Sequence, residues 1–233
     1  MKLFIIRHAD PDYERRTITR AGHREARALA ARMKRIGLDR IFCSPVPRAV
    51  HTMEYTARAL RMKPVFLEWT RELSDLRTEQ PPWGPLMAWD TPPEVLKSPD
   101  RRSPHRIDDI PALKGLPIAA TVRRLRRESD AFLGRLGYRR EGKRYRILRS
   151  NRKKIAVFCH GGFGLTWLSL LLEIPLPLMW GNFWLAPTSV TTLLFEERSR
   201  RWATPRAIGV CDVSHLDAAG LPISTHGLKA NTA

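Results

Sequence analysis

The chain has 233 residues, which suits one large domain, or one domain with a long insertion, better than two full domains. Hydrophobic residues make up 43%, so the chain can bury a substantial core and is not disordered as a whole. The formal net charge of +18 argues against an acidic protein that binds cations. It favours anionic partners, namely phosphorylated small molecules, nucleic acid or an acidic membrane surface.

Arginine supplies 32 of the 41 positive charges. Its guanidinium group binds phosphates in a bidentate manner, although most of these arginines are explained equally well as a solvated surface. The cysteines at 43, 159 and 211 are odd in number and form no CxxC, so we expect reduced thiols in a cytoplasmic protein. The apolar runs are too short for a signal peptide or for a transmembrane helix of about 20 residues, so no membrane span is expected.

The first predicted elements alternate between strand and helix. Residues 3–6 form a short apolar run that is typical of a buried strand. A helix is predicted over about 20–35, with Thr19 as its N-cap, and a strand over 40–43. A second helix then extends to about residue 60 and precedes a third strand at 64–67.

The composition changes between residues 74 and 120, where prolines and tryptophans are frequent. Prolines at this density exclude one regular element, so we interpret the segment as an irregular insertion with a short helix near 93–97. The remaining predicted elements are helices over about 121–136 and 165–172 and strands over 155–159, 190–195 and 206–210. This order predicts an α/β fold with a largely parallel central sheet flanked by helices. Residues 1–216 are expected to form a single domain, and 217–233 a loose C-terminal tail.

Polar and charged residues follow three of the predicted strands. Arg7 and His8 come directly after the first strand, Arg48 follows the second, and His160 and Gly161 follow the strand at 155–159. Ligands bind outside the carboxyl ends of the strands in parallel sheets. We therefore expect these three groups of residues to meet at one crevice.

Such a crevice suits phosphoryl transfer. Two arginines can bind a phosphoryl group in a bidentate manner, and a neutral imidazole can attack phosphorus to form a covalent intermediate. A second histidine can donate to the equatorial oxygens, while a carboxylic acid at the rim protonates the leaving alkoxide and later deprotonates water. None of these steps requires a metal or another cofactor.

Five segments of the sequence together resemble a known family. They are FIIRHA at 4–9, TRAGHREA at 19–26, CSPVPRAVHT at 43–52, REL at 71–73 and VFCHGG at 157–162. Their order and separation are similar to those of the histidine phosphatase superfamily, also called the phosphoglycerate mutase-like family. The resemblance covers roughly residues 1–75 and 120–216 and implies a phosphoglycerate mutase-like fold.

The resemblance implies a role for each matching residue. His8 would be the phosphorylated nucleophile, and Glu72 the general acid and base. The residues that would hold the phosphoryl group are Arg7, Arg48, His160 and, through its backbone, Gly161. Glu68 and Asp75 flank Glu72 and are the alternative acids.

Two departures from the family pattern concern activity. The family usually has glycine after the Arg-His pair, whereas this chain has Ala9. The mutase branch carries a tryptophan-asparagine signature soon after that pair, where this chain has DPDYE at 10–14. The resemblance therefore implies a phosphatase acting on a phosphorylated small molecule, rather than a mutase.

Other interpretations remain open. The segment 121–154 carries 14 basic and 3 acidic residues, which suits either a nucleic-acid or polyanion surface or an amphipathic helix with solvated arginines. Asp10 and Asp12 form an Asp-x-Asp pair that is found in magnesium-dependent phosphatases. Trp83 and Trp89 either stack on a substrate ring or pack the insertion, and packing is favoured. A catalytically silent protein that binds a phosphorylated ligand or polyanion is the alternative to an enzyme.

Overall fold

The computed structural model describes residues 1–97, 107 and 110–228. Its strands are β1 (Lys2–Arg7), β2 (Pro11–Asp12), β3 (Thr17–Ile18), β4 (Arg40–Cys43), β5 (Val65–Phe66), β6 (Arg77–Gln80), β7 (Gly84–Met87), β8 (Tyr138–Glu141), β9 (Arg144–Ile147), β10 (Lys154–Cys159), β11 (Val190–Glu197) and β12 (Trp202–Asp212). Its helices are α1 (Arg20–Ile36), α2 (Pro47–Leu60), α3 (Pro93–Leu96), α4 (Ile118–Arg135), α5 (Gly161–Leu172), α6 (Leu176–Asn182) and α7 (Ser214–Asp217).

The central sheet has the strand order β5-β4-β10-β1-β11-β12-β9-β8. Strands β5, β4, β10 and β1 run parallel to one another, and each later strand pairs antiparallel with its neighbour. The predicted α/β fold is therefore confirmed. The parallel half contains the three strands that precede the motif residues, so it is the half that positions the site.

Local sequence signals set the ends of α1. The Thr19 side chain accepts a hydrogen bond from the Gly22 N–H, and Gly37, at φ 71°, closes the helix by donating to the Met33 carbonyl. Four apolar side chains at helical spacing are buried: Ala26, Leu29, Ala30 and Met33. The predicted helix over 20–35 differs from the observed one by a single residue.

Three hairpins escape the sequence prediction. Strands β2 and β3 pair before α1, β6 and β7 pair within the insertion, and β8 and β9 extend the antiparallel edge of the central sheet. In the β8–β9 hairpin, Tyr138 and Tyr145 are buried while arginines occupy most of the other positions. Arginine is a poor strand signal, so the pattern of this segment resembles a solvated helix or loop more than two strands.

The basic segment 121–154 thus spans most of α4 and the β8–β9 hairpin. Part of its charge is engaged within the fold. The Arg144 guanidinium lies 3.6 Å from the centre of the Trp202 ring, and Arg146 donates to Glu141. These contacts are structural and leave nucleic-acid binding by this segment as an untested expectation.

Arg140 connects the β8–β9 hairpin with α4 and with the end of α5. Its side chain is only 8% exposed and donates to Asp130 on α4, to Glu173 after α5 and to the Leu170 carbonyl.

We expect Arg140→Met to lower the free energy of unfolding by about 3 kcal/mol, because it leaves two partly buried carboxylates without their cation. Urea unfolding would test this. Arg139→Met is the control, since its side chain is 60% exposed and its loss should change stability by less than about 0.5 kcal/mol. Equal effects of the two substitutions would contradict the structural role of Arg140.

The most apolar helix is α5, whose side chains from Gly162 to Leu171 are all buried. It packs against α4 and α6 and lies beside β1 and β12, so it is enclosed on nearly every side. Within the described ranges, no helix combines the length and the apolarity that crossing a membrane requires. The N-terminus of α5 follows β10 directly and borders the site.

Candidate active site

The carboxyl ends of three adjacent parallel strands bring the motif residues together. Arg7 pairs with Cys159 across β1 and β10, and Phe158 pairs with Cys43 across β10 and β4. His8 and His160 follow these strand ends, and their ring centres lie 5.3 Å apart. The structure therefore places the predicted residues of the three strand ends at one edge of the sheet.

His8 has a defined tautomer. Its Nδ1 lies 2.7 Å from the Ala9 carbonyl oxygen, which can only accept, so Nδ1 carries the hydrogen. The lone pair is then on Nε2. Burial, together with the positive charges of Arg7 and Arg48, holds the pKa of His8 well below its usual value, which favours the neutral ring.

His160 is fully buried at the N-cap of α5. Its Nε2 lies 2.8 Å from the Ser44 hydroxyl oxygen, while its Nδ1 has no hydrogen-bond partner among the described residues. Burial and the nearby Arg48 and Arg7 also lower the pKa of His160. If the Ser44 hydroxyl donates to Nε2, the hydrogen of the neutral ring lies on Nδ1.

Both predicted arginines border the same cavity as His8. The Arg7 guanidinium is buried and donates to the carbonyl oxygens of Leu185 and His226. The Nε atoms of Arg7 and Arg48 are buried and have no partner within the described part of the chain. Each of these two N–H groups is therefore a hydrogen-bond donor that no described group uses.

Glu72 lies across the N-terminus of α5. Its carboxylate accepts hydrogen bonds from the N–H groups of Gly162, at 3.2 Å, and Phe163, at 2.8 Å. Burial raises the pKa of Glu72, although the Arg48 charge and these N–H groups oppose the shift. Gly161 begins the helix and lines the cavity next to Arg7.

The two alternative carboxylates lie elsewhere. Glu68 pairs with Arg71 and has a side chain that is 75% exposed. Asp75 accepts from the Thr121 hydroxyl at 3.3 Å. Of these three candidate acids, only Glu72 lines the cavity that contains His8.

The Ala9 methyl group occupies an apolar site. Ala9 is fully buried in a small cluster with Ile18 and Ala26. Its side chain therefore packs without opposing the backbone geometry at the site. We expect Ala9→Gly to lower the free energy of unfolding by about 1–2 kcal/mol, from the lost methyl burial and the added backbone entropy of glycine. Denaturant unfolding would measure this, and a variant as stable as the wild type would contradict it.

Residues of the C-terminal tail contact the site, although the sequence suggested a loose tail from residue 217. The Ser224 hydroxyl donates to Asp10 at 2.7 Å, and the His226 carbonyl accepts from Arg7 at 3.2 Å. The other oxygen of Asp10 accepts from the Thr19 hydroxyl. Asp10 therefore connects the start of α1 with the tail through hydrogen bonds.

Sequence reasoning missed several residues around the site. Ser44 has no role assigned from the sequence, yet its hydroxyl contacts and orients His160. Tyr13 lies 5.5 Å from the Arg48 guanidinium, and Trp184 lies 6.0 Å from that of Arg7. Ser44 and Tyr13 lie in segments already quoted above, but the direction of a side chain cannot be predicted from such a segment, and Trp184 reaches the site from the loop after α6.

The arrangement combines a neutral imidazole with a free lone pair, two guanidinium groups and a carboxyl group of raised pKa. Residues 3–206 match the family model of the histidine phosphatase superfamily, branch 1. No curated protein matches the chain.

Solved structures of phosphatases share the fold. A phosphoserine phosphatase from Entamoeba histolytica, in complex with 3-phosphoglyceric acid, is 19% identical with a TM-score of 0.64, covering 92% of this chain and 98% of that chain. A mycobacterial glucosyl-3-phosphoglycerate phosphatase is 16% identical with a TM-score of 0.55, over 89% and 97%. An alpha-ribazole phosphatase from Shigella flexneri is 16% identical with a TM-score of 0.56, over 91% and 97%. At these identities the likeness shows the fold alone.

Proposed function

The chain belongs to branch 1 of the histidine phosphatase superfamily, and we propose that it hydrolyses a phosphate monoester through a phosphohistidine on His8. The observation that carries this proposal is the hydrogen bond from His8 Nδ1 to the Ala9 carbonyl. That bond places the lone pair on Nε2, in a ring whose lowered pKa keeps it neutral. A neutral, oriented imidazole is the nucleophile that this reaction requires.

The hydrogen-bond donors around His8 bind the phosphoryl group. Arg7 and Arg48 each offer a buried Nε–H, and His160 offers Nδ1–H when Ser44 donates to its Nε2. The backbone at Gly161 adds the positive end of the α5 dipole. These groups neutralise charge on the equatorial oxygens, where it accumulates in the transition state.

The first step forms a bond from His8 Nε2 to phosphorus and breaks the ester bond between phosphorus and oxygen. The leaving alkoxide takes the proton of Glu72, whose raised pKa favours the protonated acid. In the second step, the Glu72 carboxylate takes a proton from water, which attacks phosphorus and breaks the bond to nitrogen. Inorganic phosphate leaves, and His8 is again neutral with its hydrogen on Nδ1. No metal takes part in either step.

We propose hydrolysis rather than mutase activity because DPDYE occupies the positions of the mutase signature. In the structure Pro11 and Asp12 pair with Ile18 and Thr17 in the β2–β3 hairpin. A phosphatase transfers the phosphoryl group to water, so it needs no second site for an accepting sugar or acid. The substrate is a phosphorylated small molecule.

Phosphate release from 4-nitrophenyl phosphate in the presence of EDTA tests this function. We expect turnover that the chelator leaves unchanged. Loss of activity in EDTA would contradict the histidine mechanism and return attention to Asp10. An absence of turnover combined with salt-sensitive binding of a polyanion would instead support the silent binding protein.

A further inference from the structure

The site opens into a cavity much larger than a phosphoryl group. Its volume is about 1160 Å³. Small-molecule pockets usually measure roughly 300–1000 Å³, so this cavity accommodates a large ligand. Arg7, His8, Arg48 and Gly161 line one part of it, which leaves most of the volume for the alcohol part of an ester.

Aromatic side chains form much of the remaining wall. Trp83, Trp89, Phe183 and Trp184 all line the cavity. Trp83 is 41% exposed and Phe183 is 37% exposed, so neither ring is buried in the hydrophobic core. Exposed aromatic faces in a cavity favour an apolar or aromatic ligand.

Trp89 is held rigidly in this wall. A Cβ atom added at Gly162 would lie 2.2 Å from the Trp89 indole, so the ring rests directly on the backbone at the start of α5. The N–H of the same Gly162 donates to Glu72. The aromatic wall is thus fixed beside the proposed general acid, where the ester oxygen of a substrate must lie.

We infer that the substrate is a phosphate monoester whose alcohol part is large and apolar or aromatic. This inference rests on the proposed phosphatase function. It differs from the ligands of the Entamoeba histolytica neighbour, which is solved with 3-phosphoglyceric acid and, as a mutant, with phosphoserine.

Three esters of primary alcohols test the inference, because their leaving groups are of similar reactivity. They are 2-(2-naphthyl)ethyl phosphate, ethyl phosphate and O-phosphoserine. We expect kcat/KM for the naphthyl ester to exceed that of each of the others by at least about 30-fold, since its ring is removed from water in the cavity. Equal values, or a higher value for O-phosphoserine, would overturn the inference while leaving the phosphatase function intact. An absence of His8-dependent turnover with all three esters would overturn both the inference about the substrate and the phosphatase function.

Substitution of Trp83 in the aromatic wall provides a second test of the inference. We expect Trp83→Ala to lower the ratio of kcat/KM between the naphthyl and ethyl esters by about 5-fold or more, because it removes an aromatic contact at the cavity. Trp202→Ala is the matched control, since Trp202 stacks with Arg144 on the β9 side of the sheet and is absent from the lining. An unchanged ratio in Trp83→Ala, or an equal fall in both variants, would overturn the assignment of this wall.

Discussion

Replacement of His8 by alanine is expected to lower kcat for phosphate release by about 10³-fold or more, because the variant lacks the atom that forms the covalent intermediate. Substrate binding should survive in part, since Arg7, Arg48 and His160 remain. Initial rates with 4-nitrophenyl phosphate, measured in EDTA for both proteins, would give the ratio.

A second histidine serves as the control for this substitution. His51 lies on α2, one turn from Arg48, and its Nδ1 bonds the Thr17 hydroxyl outside the cavity. The His51→Ala variant should retain activity within a few-fold of the wild type. Comparable turnover by His8→Ala and the wild type would show that the nucleophile is another residue.

Substitution of Glu72 by glutamine should have the second-largest effect. The variant cannot protonate a leaving group, so kcat/KM for ethyl phosphate is expected to fall by about 10²–10⁴-fold. The fall should be much smaller for 4-nitrophenyl phosphate, because 4-nitrophenolate is stable enough to leave without a proton. The second step still lacks its base, so we expect a burst of 4-nitrophenolate followed by slow turnover.

The pH dependence of kcat/KM provides a separate test of Glu72 as the general acid. The first step needs protonated Glu72 and neutral His8. Burial raises the pKa of Glu72, so kcat/KM for ethyl phosphate should fall on the alkaline side at a pH above the usual range of a glutamate. Burial and the nearby guanidinium charges lower the pKa of His8, so the fall on the acidic side should lie below the usual range of a histidine. The alkaline fall should disappear in Glu72→Gln.

Glu68→Gln is the matched control for Glu72→Gln. Glu68 is close in sequence, yet it forms an exposed pair with Arg71 and does not line the cavity. It should leave the leaving-group dependence and the pH profile unchanged. A leaving-group dependence that shifted equally in both variants would argue against Glu72 as the general acid.

The sequence predicts the parallel half of the fold well because local signals determine it. Short apolar runs mark β1, β4 and β10, and the residues after each run determine what lies at the strand ends. Parallel pairing of these strands then brings Arg7, His8 and His160 together. The convergence follows from strand order, so it can be predicted without knowledge of any side-chain contact.

Features that depend on distant segments were not predictable in this way. The tail reaches Asp10 and Arg7 from more than 200 residues away in the sequence, as the separations of 214 and 219 residues show. The aromatic wall combines residues of the β6–β7 hairpin with residues after α6, and no periodic pattern links them. The β8–β9 hairpin is hard to predict from the sequence because most of its residues are arginines. The buried Tyr138 and Tyr145 are its main strand signal.

Trapping the covalent intermediate tests the central claim most directly. The Glu72→Gln variant would be mixed with 4-nitrophenyl phosphate, denatured at alkaline pH, where phosphohistidine survives, and digested for mass spectrometry and ³¹P NMR. The account predicts one phosphoryl group per chain on Nε2 of His8, formed in step with the burst of 4-nitrophenolate. A phosphoryl group on Asp10 or on any other residue, or a burst with no phosphorylated protein, would contradict it.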